Sequence, residues 1–161
     1  MKWIFVGAST IASQYMIGAV RAQTGCDVTW VVSGSGDRTA TWAQEHGIAN
    51  HTASLGDAFA DADAGAVYIS STNEKHHAQA MAAIAADKHV LREKPLGMTL
   101  AEAEEMVAAA KDRGTAFATN HHLRCSASHR AVRDPIPSGA LGHRLSVRLR
   151  PAVPLPEPLQ D

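Results

Sequence analysis

Apolar residues fall in short unbroken blocks: Trp3-Ile4-Phe5-Val6, Val28 to Val32, Ala66-Val67-Tyr68-Ile69 and His89-Val90-Leu91. Apolar blocks that do not alternate with polar residues suit strands covered on both faces. The pattern predicts strands at 2–6, 28–32, 49–52, 66–69, 89–91 and 115–119. Helices are predicted between them, at 10–22, from an Asp37 N-cap to a stop at Gly47, after Ser54, and at 74–86 and 100–113. Ser54 with Asp57, and Thr99 with Glu102, have the spacing of capping boxes, and Gly114 supplies a stop. Leu100, Ala103, Met106, Val107 and Ala110 are predicted to share one buried face of the last helix. Six strands separated mostly by helices predict an α/β chain with a doubly wound parallel sheet.

The pattern changes near the carboxyl end. Leu145, Val147 and Leu149 alternate with Arg144, Ser146, Arg148 and Arg150, as in a strand with one buried face. Pro151, Pro154, Pro156 and Pro158 then forbid regular structure. Two parts are predicted: a cofactor domain at 1–122, then a connecting helix and the start of a second, α+β domain at 123–161. The apolar side of strand 145–149 is expected to fold back on the domain or to pair with another copy, giving a homo-oligomer.

Composition narrows the partners. The 161-residue chain is 45% hydrophobic and 19% charged, with a formal net charge of −1. It can bury a core, and its charge gives no general attraction to nucleic acid or to an anionic membrane. Cys26 and Cys125 form no spaced pair, which fits a reducing, cytoplasmic setting. The amino terminus has the outline of a signal peptide, but Gly7, Ser9, Thr10, Ser13 and Gln14 interrupt the apolar run. No apolar stretch is long enough to span a membrane.

The candidate chemistry gathers at strand ends. Gly7-Ala8-Ser9-Thr10-Ile11-Ala12 follows the first strand and opens the first helix, as a dinucleotide fingerprint does. Gly7 suits the tight turn and Ala12 the close helix–strand approach. Ser9 replaces the middle glycine, and its hydroxyl is placed to donate to a pyrophosphate, beside the helix amides. The second strand ends in Ser33-Gly34 rather than in the carboxylate usual for NAD, and Arg38 follows. A serine tolerates a 2′-phosphate and an arginine fork binds one, so NADP is predicted over NAD. The competing reading makes Arg38 a solvated helix-start residue.

Three further strand ends supply Ser70-Ser71-Thr72-Asn73-Glu74 followed by Lys75-His76-His77, then Glu93-Lys94-Pro95, then Asn120-His121-His122. Lys94 is predicted to hold a substrate oxygen and to give it a proton, with partial burial lowering its pKa. Glu93 is placed to orient Lys94 or to touch the nicotinamide ribose. Asn73 and Asn120 can bond without titrating. The nine histidines lack metal-ligand spacing, so no metal is predicted.

Together these residues resemble the glucose–fructose oxidoreductase / inositol dehydrogenase (Gfo/Idh/MocA) family along the whole chain. The likeness is carried by Gly7 to Ala12, Ser33 with Arg38, Ser71 to Glu74, His89 to Leu91, Glu93-Lys94-Pro95-Leu96 and Thr119 to Arg124. It implies a Rossmann-type domain in which Ser9 to Ala12, Ser33, Gly34 and Arg38 bind the adenosine half and phosphates of NADP(H). Ser71 to His76, Glu93, Lys94 and Asn120 would line the nicotinamide half, and Lys94 would be catalytic. The implied reaction is hydride transfer from NADPH to a ketone or aldehyde of a sugar-like small molecule. Members of that family are about twice this length, and their second domain supplies an aspartate and a histidine to the active site. The chain alone is therefore expected to bind cofactor with little turnover. The alternative is a non-catalytic dinucleotide-binding sensor or regulatory module.

Overall fold

The computed structural model describes residues 1–140, 142, 143 and 146. They fall into two compact units, divided between His121 and His122. The first holds six strands: β1 (Lys2–Val6), β2 (Asp27–Val32), β3 (Asn50–Thr52), β4 (Ala64–Ile69), β5 (His89–Arg92) and β6 (Phe117–Thr119). Every pairing is parallel and the order is β3-β2-β1-β4-β5-β6. The chain steps outward from β1 to β3, then returns to place β4 on the other side of β1. Connections leave the sheet in opposite directions at that reversal, which opens a crevice beyond the carboxyl ends of β1 and β4.

Helices cover both faces. Residues 10–21 are helical, with a π-type stretch over Ala12–Met16 before α1 (Ile17–Arg21). They are followed by α2 (Gly36–Glu45), α3 (Leu55–Phe59), α4 (His76–Ala85) and α5 (Leu100–Arg113). Alternation along the strands sorts the core into two clusters. Phe5, Val31 and Tyr68 face Ile17, Val20 and Ala43, while Ile4, Val67 and Ile69 face Ala58, Ala80, Ile84 and Met106.

Several ends form as local chemistry dictates. Ser54 accepts from the Asp57 amide at 3.2 Å, and Thr99 from the Glu102 amide at 3.2 Å. After α5, Gly114 turns left-handed at φ +66° and the Thr115 amide returns to the Ala110 carbonyl at 3.0 Å, closing a Schellman motif. Gly47 does the same for α2 at φ +61°, with the Ile48 amide on the Ala43 carbonyl at 2.9 Å.

Two details differ from the sequence pattern. The α2 N-cap is Ser35 rather than Asp37, which sits in the first turn, where a negative charge favours the helix dipole. On α5, Leu100 and Val107 are 73% and 49% exposed, and the buried stripe is Met106 with Ala110. Two buried residues, one turn apart, seat the helix on the sheet side.

The second unit holds a 3₁₀ turn (His122–Cys125) and α6 (Ala127–Arg133), whose N-cap Ser126 accepts from the His129 amide at 3.3 Å. The strand expected at 145–149 lies outside the described residues, Ser146 aside. Among the described residues no helix is long and apolar enough to cross a membrane.

Candidate functional site

Ladder bonding runs one residue past the strand ends and so sets the floor of the site. The Gly7 amide donates to the Val32 carbonyl at 2.8 Å, Ser70 to Val6 at 2.8 Å, Glu93 to Ile69 at 2.8 Å and Asn120 to Arg92 at 2.7 Å. Residues far apart in sequence are thereby brought into one row.

Gly7 leaves β1 at φ +103°. A Cβ there would lie 2.7 Å from the Ser71 nitrogen and 2.8 Å from the Ser70 carbonyl carbon, so only glycine fits the turn. Ser9 Oγ accepts from the Ala12 amide at 3.2 Å and donates to Ser70 Oγ at 2.7 Å, and Ser70 Oγ donates to the Gly7 carbonyl at 3.2 Å. The Ser9 hydroxyl proton is thus spent inside the turn rather than offered to a pyrophosphate. The Thr10 and Ile11 amides in the first turn have no partner within the helix, and the Ala12 amide is taken by Ser9. Thr10 is exposed, Ile11 is half-buried, and Ala12 is fully buried against the sheet.

A cleft of about 490 Å³ opens at the sheet reversal. Its wall brings together Gly7, Ser9, Ser33, Gly34, Arg38, Ser70, Ser71, Thr72 and Lys75 from the runs singled out in the sequence, and adds Gln79, which the sequence did not single out. Arg38 is exposed, and its guanidinium has no hydrogen bond or ion pair among the described residues. A free planar fork on the wall of a cleft suits a phosphate. Ser71 Oγ donates to Gln79 Oε1 at 2.5 Å. Asn73 and Glu74 are exposed on a 3₁₀ turn, and the Thr72 hydroxyl bonded to Glu74 holds that carboxyl below its usual pKa.

Beside the cleft lies a second cluster. Glu93 is 6% exposed, and its Oε1 accepts from Tyr68 Oη and from Asn120 Nδ2, each at 2.7 Å. Burial, and then the Glu93 carboxylate, push the Tyr68 hydroxyl pKa up, so it stays a donor at every working pH. Glu93 Oε2 takes no protein donor among the described residues and is not sealed from solvent, which leaves it available. Tyr68 has a sequence signal: it is the one polar tip in an aliphatic strand, and such a tip needs a partner.

Lys94 follows Glu93, and the Lys94–Pro95 bond is cis. Its side chain is exposed, so the partial burial expected of it is absent. Local chain direction explains this. Arg92 and Glu93 turn to opposite faces at the end of β5, and the loop then lifts Lys94 clear of both. The loop lands on α5, where Glu102 accepts from the Met98 amide at 2.8 Å.

His76 is placed differently from the reading that lines the nicotinamide half with it. It is 1% exposed, with Nε2 on the Ser71 carbonyl at 3.0 Å and Nδ1 against Arg92 at 2.8 Å. Both ring nitrogens are occupied beneath the cleft wall. The adjacent His77 turns away to Glu105, at 2.8 Å. Among the described residues no three His, Cys, Asp or Glu side chains gather as a metal site.

Residues 1–121 match the model of an oxidoreductase family with an NAD-binding Rossmann fold. A 1,5-anhydro-D-fructose reductase from Ensifer adhaerens is 50% identical over 159 residues, covering 99% of this chain and 47% of the reductase. A 3-ketoreductase from Actinomadura kijaniata, solved with NADP and TDP-benzene, superposes with a TM-score of 0.78 at 27% identity, over 86% of this chain and 42% of that one. An oxidoreductase from Agrobacterium radiobacter, solved with NAD⁺, L-tartaric acid and magnesium, shares the fold at a TM-score of 0.82 and 22% identity, over 89% and 42%. The chain spans about half the length of the reductase it matches.

Proposed function

The chain belongs to the Gfo/Idh/MocA oxidoreductase family, and we propose that it is the NADP-binding domain of a reductase acting on a sugar-like ketone or aldehyde. The reading rests above all on one observation: the cleft at the sheet reversal is walled by Ser33 and an unpaired Arg38, with no carboxylate at the end of β2. A carboxylate there favours NAD by bonding the ribose, and its absence beside a free guanidinium favours a 2′-phosphate.

The other residues fit the same occupant. Gly7 lets the backbone approach a pyrophosphate, and the amides of Thr10 and Ile11 carry the helix's positive end. Ser33, Gly34 and Arg38 take the adenosine side, with Lys75 as a second cation. Ser71, Thr72, Asn73 and Glu74 lead toward Glu93 and Asn120. Glu93 Oε2 is the acceptor offered to a ribose hydroxyl, its other oxygen being fixed by Tyr68 and Asn120. When bound, the cofactor supplies the hydride. Lys94 then donates a hydrogen bond to the substrate carbonyl oxygen, stabilises the developing negative charge and gives up a proton. Its exposure in this chain leaves water free to compete, so turnover is expected to be low. The unpaired Cys26 and Cys125 fit a reducing, cytoplasmic setting.

Lys94→Ala separates binding from chemistry. The residue is exposed, so its loss should move stability by no more than about 0.5 kcal/mol. NADPH affinity should stay within about threefold. NADPH oxidation over a panel of sugar ketones and aldehydes should fall by about a hundredfold or more. Binding with no oxidation at all in the unaltered chain, rather than slow oxidation, would favour the non-catalytic module instead, and oxidation that survives in Lys94→Ala would refute the role given to that residue.

A further inference from the structure

Arg92 ends β5 with its side chain 1% exposed. A guanidinium taken out of water is costly unless its donors are matched. Among the described residues it forms no ion pair and its hydrogen-bond partners are neutral, the Glu102 carboxylate favouring its charge without touching it. One terminal nitrogen donates to the Pro95 carbonyl and to His76 Nδ1, the latter at 2.8 Å. The other donates to the Leu96 carbonyl and lies 3.3 Å from Met106 Sδ. Nε has no partner.

The chemistry of these partners fixes the histidine tautomer. Arginine only donates, so His76 Nδ1 is the acceptor and the ring proton lies on Nε2. A carbonyl only accepts, so that proton points to Ser71, at 3.0 Å. Burial and the neighbouring Arg92 charge both hold the His76 pKa below its usual value, which keeps the ring neutral. An unbroken line of donors and acceptors therefore runs from the Pro95 and Leu96 carbonyls through Arg92 and His76 to Ser71. One end is the loop that carries Lys94. The other is the cleft wall, where Ser71 also holds Gln79. Among the described residues the loop is otherwise held where it meets α5, by the Met98 amide on Glu102 at 2.8 Å.

We propose that Arg92 and His76 are positioning residues that lock the Lys94 loop to the cofactor cleft, so that ammonium and nicotinamide keep one relative geometry. The proposal rests on the reading of the cleft as an NADPH site. In this role His76 acts through the Ser71 backbone and touches no cofactor. A residue that only filled the core would be replaceable by any side chain of its size. This one has to deliver several donors to fixed acceptors.

The test uses the full chain carrying Arg92→Met, Arg92→Lys, His76→Phe and the Met/Phe pair. Amide exchange is read at Met98, whose amide is bonded to Glu102, and, as a control, in β1 and β4. NADPH affinity and the emission of bound NADPH are read in parallel. In Arg92→Met the Met98 amide should exchange about tenfold faster or more with β1 and β4 unchanged. NADPH affinity should hold within about threefold while bound emission shifts toward that of free NADPH. Arg92→Lys should restore part of both signals, since an ammonium still reaches a carbonyl. The Met/Phe pair should shift emission no further than Arg92→Met, because one line has already been cut. Unchanged loop exchange and unchanged emission in Arg92→Met would overturn the proposal. Should β1 and β4 also open in that variant, Arg92→Lys and His76→Phe decide by the same two readouts. Failure of the unaltered chain to bind NADPH would refute the cofactor reading, while the exchange data would still decide whether Arg92 holds the loop.

Discussion

Replacing Ser33 by aspartate and Arg38 by alanine in one chain is expected to reverse its preference between NADPH and NADH. Ser33 stands at the end of β2 on the cleft wall, and Arg38 enters the same wall from the first turn of α2. The aspartate would accept from the ribose hydroxyls of NADH and repel a 2′-phosphate. The alanine would remove a charge-assisted fork. Hydrogen bonds to charged groups contribute about 1.5–3 kcal/mol each, so the two changes together should weaken NADPH by about a hundredfold to a thousandfold. NADH should gain about tenfold. Lys75 remains on the wall as a residual cation, so NADPH binding weakens without vanishing. The two dissociation constants are read from nicotinamide fluorescence. A ratio that does not move would remove the assignment to NADP.

The second large effect is on the fold itself. Gly7→Ala places a methyl 2.7 Å from the Ser71 nitrogen at a backbone φ of +103°. Neither obstacle is a flexible side chain that could swing aside. Both are backbone atoms held by the β1–β4 ladder. Backbone strain of this kind costs about 1–3 kcal/mol, and forcing a methyl into a packed contact costs about 1–3 kcal/mol more. Against a total stability of about 5–15 kcal/mol for a domain, the urea midpoint should fall steeply. Any folded remainder should lose NADPH, because the Ser71 wall must shift. Gly18→Ala is the control: a Cβ there meets nothing within 4 Å, and alanine favours the helix by about 0.8–1 kcal/mol. Equal midpoints for the two variants would show that the turn does not need its glycine.

What the sequence disclosed is what local chemistry controls. Unbroken apolar blocks specified parallel strands, and Ser54 and Thr99 announced helix starts because a cap is a contact between residues three apart. The Gly7 turn was readable for the same reason. Contacts made across the sheet were not. Tyr68, Glu93 and Asn120 meet because β4, β5 and β6 pair in one register; Glu93 and Asn120 could be placed at neighbouring strand ends, but Tyr68 showed only that its hydroxyl needs a partner, not which one. Arg92 reads as a surface residue closing a strand until α4 and α5 are seen to cover it. The exposure of Lys94 follows from the path of the loop after β5, which composition does not encode. Periodicity also overstated the buried face of α5, since Leu100 and Val107 fit the spacing yet stay exposed among the described residues.

We propose that the turn after β1 and the cleft beside it hold NADPH with its nicotinamide beside Glu93 and Lys94. Titration of the folded chain with NADPH, read by the cofactor's own emission, tests it most directly. Saturable binding at one molecule per chain, with emission shifted and then reversed by adding excess NADP⁺, is the expected result. Unchanged NADPH emission throughout the titration, on chain shown to be folded, would contradict it.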